Sequence, residues 1–122
     1  MLFRSVRWAV AHGQEVSGSH DGYSYLAWLR ELRTLPFAHL IEQDFLLMGA
    51  REDHIVPIDQ FYSQASDLKN VRSLTAQLFT RTDHAQAHCH VGNMPLVTGY
   101  VINWINFWLK AESLRAAQQP AT

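Results

Sequence analysis

The chain has 122 residues, 48% of them apolar by a broad count, 11% aromatic and 17% charged, with a formal net charge of −1. This length suits one domain of ordinary size, the apolar content excludes a disordered chain, and the balanced charge lacks the basic footprint of a dedicated nucleic-acid binder. The single cysteine, Cys89, excludes an internal disulfide and a CxxC site. No run approaches the roughly 18 apolar residues of a membrane-spanning helix. The opening MLFRSVRWAVAHG is apolar and basic, but Arg7 and His12 interrupt it and no small-residue cleavage site follows, so it reads as a helix and not a signal peptide. A soluble cytoplasmic protein with neither membrane nor nucleic acid as partner is the expectation.

Leu2, Phe3, Val6 and Val10 predict a short amphipathic helix over residues 2–12, ended near Gly13. The stretch QEVSGSHDG reads as a polar loop. Asp21 or Ser19 can cap a second helix carrying Tyr25, Leu26, Trp28, Leu29 and Leu32, ended around Thr34 ahead of Pro36. Phe45 to Met48 form a continuous apolar run closed by Gly49, which suits a strand buried on both faces of a parallel sheet. After the loop AREDHIVP, Pro57 suits the first turn of a helix, continued by Ile58, Phe61, Tyr62, Ala65 and Leu68.

Residues 73–80, SLTAQLFT, alternate and predict a second strand with one face less buried. A His-rich loop runs from Arg81 to Asn93. A last helix follows from about Pro95 to Ser113, with Val97, Val101, Trp104, Ile105, Trp108 and Leu109 as its buried stripe. The order helix, helix, strand, helix, strand, helix implies an α/β fold: about two parallel strands joined by a right-handed crossover and flanked by helices.

Two loops carry the chemistry. In open α/β sheets functional groups collect at the carboxyl ends of strands. GAREDHIVP puts Glu52, Asp53 and His54 at one such end, where a carboxylate could orient a histidine and stabilise its imidazolium. A solvated loop with a helix cap is the plainer alternative. The second loop, TRTDHAQAHCHVGN, holds Asp83, His84, His88, Cys89 and His90, and a neutral histidine there could act as a general base.

His84 and His88, four apart, with Cys89 and His90 beside them, are possible zinc ligands. However, no HExxH and no second cluster accompany them, so neither metal nor other cofactor is expected. Cys89 reads as a buried structural thiol, because adjacent residues rarely turn their side chains on each other. Trp8, Tyr23, Tyr25 and Trp28 could line an apolar pocket, though core is the plainer reading.

On FLLMGAREDHIVP, and on HAQAHCHVGN followed by VINWI, the chain resembles the α/β-hydrolase superfamily, in particular acyl hydrolases related to prolyl-oligopeptidase and dienelactone-hydrolase proteins. In that superfamily the penultimate core strand leads to the catalytic acid and the last strand to the catalytic histidine. The group's histidine loop typically reads Asn-His-Cys-Gln and ends in Gly-Asn; here it is Ala87, His88, Cys89, His90, Val91, Gly92, Asn93. The resemblance covers about residues 43–110. It makes residues 1–35 a helical, cap-like segment and residues 36–122 the C-terminal part of a hydrolase core.

The resemblance implies His88 as the triad histidine. Counted back from Pro57, Asp53 is the acid; counted forward from Gly49, Glu52 is the nearer match, and Asp53 is preferred with Glu52 as the alternative. Asn93 is suited to capping the last helix.

One element of the pattern is absent. A hydrolase of this kind carries its nucleophile in G-x-S-x-G on a strand-to-helix elbow. Here only Gly18 and Gly22 stand four apart, around His20, with no strand ahead of them. The expectation is therefore a C-terminal hydrolase segment that carries the acid and histidine, is inactive alone, and seeks a missing N-terminal half or a second copy of itself. In the complete enzyme the substrate would be a small acyl compound. A self-associating or partner-binding fragment without catalysis is the alternative, since two strands leave apolar edges unpaired.

Overall fold

The structure, a computed structural model, describes residues 2–118. The chain divides into two compact units, Met1–Pro36 and Phe37–Thr122. Among the described residues no helix is long and apolar enough to cross a membrane.

The first unit holds two helices, α1 (Leu2–Ser17) and α2 (Gly22–Glu31). Helix α1 passes through Gly13 and includes Gln14 to Ser17, which the sequence placed in a loop. Gly13 is tolerated there, at about 1 kcal/mol of helix propensity, because the Tyr25 ring of α2 lies 2.1 Å from where a Cβ would stand. Asp21 caps α2 in a capping box, accepting from the Ser24 amide at 2.8 Å. That helix stops at Glu31, three residues short of Thr34, where Leu32 leaves the helical region at ψ 81°. Trp8, Tyr23 and Trp28 are exposed and only Tyr25 is half-buried, so these aromatics are not the core that the sequence suggested.

After a 3-10 turn at Leu35–Leu40, the second unit holds β1 (Asp44–Ala50), α3 (Ile58–Asp67), β2 (Ser73–Phe79) and α4 (Met94–Ala117). Strands β1 and β2 pair in parallel, with Asp44 opposite Ser73 and Ala50 opposite Phe79. This is an α/β arrangement with two parallel strands among the described residues.

Gly49 lies inside β1 and does not close it. The Phe61 ring of α3 comes within 2.6 Å of a hypothetical Cβ there, so α3 packs closely on the face that includes Phe45, Leu47 and Gly49. Pro57 is the N-cap of α3, at φ −57°. Helix α4 covers the opposite face. Its Trp104 Nε1 donates to Thr75 Oγ1 at 3.0 Å, its Tyr100 packs edge-on against Phe79, and Val97 joins Phe79 and Ala85 in the core, with Met48 packed beside them.

Burial differs from expectation in β1 and α4, whereas β2 has one face less buried, as expected. Only Leu47 and Ala50 of β1 are fully buried, and its other residues are half-buried, because no third strand lies beside β1 among the described residues. In β2 the less covered face is that of Leu74 and Ala76, because α3 sits over β1. In α4 the covered stripe is the buried Val97 with the half-buried Tyr100, Val101, Trp104, Trp108 and Ala111, whereas Ile105 and Leu109 are exposed. Steps of three and four from Val97 follow the single face that meets the sheet, and Ile105 and Leu109 fall one position round from it.

At the far end of the sheet, Arg72 pairs with Asp44 and Glu112 and lies over the Trp108 ring at 5.6 Å. These contacts tie β1, the start of β2 and α4 together.

Candidate functional site

Because Ala50 and Phe79 are paired at the ends of parallel strands, the loops after β1 and β2 emerge side by side. Backbone bonds lock them together: Arg51 N–H donates to the Phe79 carbonyl and Glu52 N–H to the Gln86 carbonyl, each at 2.9 Å.

Asp53 turns its own loop. Its Oδ1 accepts from the Ile55 and Val56 amides at 2.8 and 2.9 Å, the local side-chain turn that aspartate favours. With the carboxylate held there, His88 Nδ1 lies 3.0 Å from Oδ1 and 2.9 Å from Oδ2. The Asp53 side chain is 10% exposed and that of His88 33%. Burial pushes the Asp53 carboxyl up, but the Val56 and Ile55 amides and then His88 outweigh it and hold the group down at about 2.

An ionised carboxylate can only accept, so the proton between the pair sits on His88 Nδ1. In the neutral imidazole, Nε2 is then a lone-pair acceptor, as a general base requires. Among the described residues the hydrogen bonds of the His88 side chain run to Asp53 alone.

Glu52 is placed differently. It forms a two-point ion pair with Arg81, Oε1 to Nε at 2.6 Å and Oε2 to Nη2 at 2.9 Å, and the Arg81 guanidinium lowers its pKa. Of the two carboxylates open from the sequence, the structure brings Asp53 to His88 and turns Glu52 to Arg81. His54, at the tip of the Asp53 turn, packs edge-on against His88 with ring centroids 5.9 Å apart.

The second loop is shaped by left-handed residues. A 3-10 turn over Arg81–Asp83 is capped by Thr80 and ends at His84, φ 56°. A second, over His88–His90, has Cys89 and His90 at φ 54° each. Cys89 is exposed and not a buried thiol, because the left-handed turn carries it to the surface. Asn93 closes the loop: its Oδ1 caps α4 at the Leu96 amide (3.3 Å) and its Nδ2 donates to the Asp83 carbonyl at 2.9 Å.

Gly92 lets the loop double back on itself. A Cβ there would stand 2.0 Å from the His84 carbonyl oxygen. Because the clashing atom is backbone, Gly92→Ala is expected to destabilise the chain by about 1–3 kcal/mol, measured by urea unfolding.

The three loop histidines do not converge. His88 meets Asp53, His90 meets the Ala85 carbonyl, and His84 ends its own turn. Among the described residues no group of three or more His, Cys, Asp or Glu side chains is placed to hold a metal ion.

Sequence reasoning missed the Ile55 and Val56 amides and the Arg81 partner of Glu52. A carboxylate followed two and three residues on by free amides is a readable turn signal, whereas the Arg81–Glu52 pair spans 29 residues and has no local signature. Compared with protein-family models, curated proteins and solved structures, the chain matches none.

Proposed function

We propose that Asp53 and His88 are the acid and base of a serine-hydrolase type triad, whose nucleophile is supplied by polypeptide outside these 122 residues. The observation that carries this reading is the carboxylate–imidazole pair, with both Asp53 oxygens within 3.0 Å of His88 Nδ1, at the shared carboxyl end of two parallel strands. The resemblance of the GAREDHIVP and HAQAHCHVGN loops to α/β hydrolases of the prolyl-oligopeptidase and dienelactone-hydrolase kind supports it.

In this reading a serine hydroxyl attacks the carbonyl of an ester, amide or related acyl bond. Its proton passes to His88 Nε2, and the Asp53 carboxylate stabilises the imidazolium. His88 then gives that proton to the leaving alcohol or amine as its bond to the acyl carbon breaks; water, deprotonated by the same Nε2, attacks the acyl-enzyme, and the proton returns to the serine oxygen as the carboxylic acid leaves. No cofactor takes part.

The test is reconstitution. The chain is mixed with the polypeptide encoded in frame just upstream, and turnover of p-nitrophenyl acyl esters is followed. Turnover is expected only in the mixture and is lost with His88→Ala. Turnover that survives His88→Ala would refute the assignment.

A second reading, a fragment that self-associates or binds a partner without catalysis, is favoured by the exposed apolar side chains of Leu74, Ile105, Phe107 and Leu109 in the second unit. Light scattering of the purified chain tests it, and a monodisperse monomer at high concentration counts against it.

A further inference from the structure

We propose that His90 is a positioning residue that holds His88 against Asp53. The inference rests on the acid–base reading above and names a residue that reading does not use. Among the described residues the hydrogen bonds of the His88 side chain run to Asp53 alone, and His88 stands at the start of a turn whose next two residues, Cys89 and His90, are both left-handed. Non-glycine residues seldom adopt that conformation, and two in succession require something to hold them.

His90 supplies the hold. Its Nδ1 lies 2.9 Å from the carbonyl of Ala85, a fully buried residue, and its amide donates to the Ala87 carbonyl at 2.9 Å. A carbonyl only accepts, so His90 Nδ1 carries the proton. The ring also packs edge-on against the buried Phe79, with centroids 4.9 Å apart, and lines the same cavity of about 160 Å³ as Asp53. His90 thus fastens the loop on both sides of His88, to the core at the end of β2 and to the backbone at Ala85 and Ala87.

The test uses the complete chain and nitrogen NMR of its imidazoles at neutral pH, which reads the protonated nitrogen directly. Two variants tolerate the left-handed backbone: His90→Asn keeps a donor in place of Nδ1, and His90→Gly removes it. In His90→Asn, His88 is expected to keep its proton on Nδ1. In His90→Gly, the ratio of the Nδ1–H to the Nε2–H form of His88 is expected to fall about tenfold, the change for one lost charge-assisted hydrogen bond.

A glycine variant that keeps the wild-type ratio, or an asparagine variant that loses it, overturns the proposal. So does a wild-type His90 found in the Nε2–H form. A wild-type His88 in the Nε2–H form would instead count against the acid–base reading itself, so the two failures are distinguishable.

Discussion

On the acid–base reading proposed above, Asp53→Asn in the reconstituted assembly is expected to lower kcat for acyl esters on the order of 10⁴-fold, while Glu52→Gln is expected to change it by no more than a few-fold. The difference follows from geometry. Asp53 fixes the proton on His88 Nδ1 and so leaves Nε2 as the acceptor; an asparagine amide in its place favours the opposite tautomer and cannot stabilise the imidazolium, an effect of about that size in triad enzymes. Glu52 sits one residue away in sequence, but Arg81 holds both of its oxygens. Steady-state rates of the two variants under saturating ester check the prediction. A Glu52→Gln loss as large as that of Asp53→Asn, or larger, would contradict the separation of Glu52 from the base.

Below neutral pH the same carboxylate leaves a mark on stability. The Asp53 carboxyl is held at about 2 in the folded chain, below its ordinary 3.8. A depressed acid stabilises the fold fully above its unfolded value and loses that contribution as pH falls through the folded one. Wild-type stability is therefore expected to drop between about pH 4 and pH 2, and Asp53→Asn to drop less steeply over that window. Asp44, held down by Arg72, Asp83, by the Thr80 amide, and Glu52, by Arg81, keep part of the acid sensitivity in both proteins. Urea midpoints at a series of pH values give the difference between the two curves. Parallel curves would contradict the Asp53 assignment.

Much of the local structure was legible. Asp21 and Asn93 as caps, Pro57 at the head of α3, and the apolar run Phe45–Met48 all act through chemistry within a few residues of themselves. Features set by distant contacts were not legible. Gly13 reads as a helix end until the Tyr25 ring is found against it, and Gly49 reads as a strand end until Phe61 is. Ile105 and Leu109 have the spacing of a buried stripe, but a two-stranded sheet is too narrow to cover them.

At the site, the sequence put Asp53, Glu52 and His88 on facing loops. It preferred Asp53 but kept Glu52 as the alternative, because the choice depends on which carboxylate the Ile55 and Val56 amides capture. The placement of His90 was hidden for the same reason, since left-handed turns at Cys89 and His90 are not signalled by residues that ordinarily avoid them.

The most direct test of the Asp53–His88 pair is nitrogen NMR of His88 in the unmodified chain at neutral pH, beside Asp53→Asn. The pair requires wild-type His88 to carry its proton on Nδ1 when neutral, and the Nε2–H form to gain ground in Asp53→Asn. A wild-type His88 in the Nε2–H form, or a tautomer unchanged by Asp53→Asn, would contradict it.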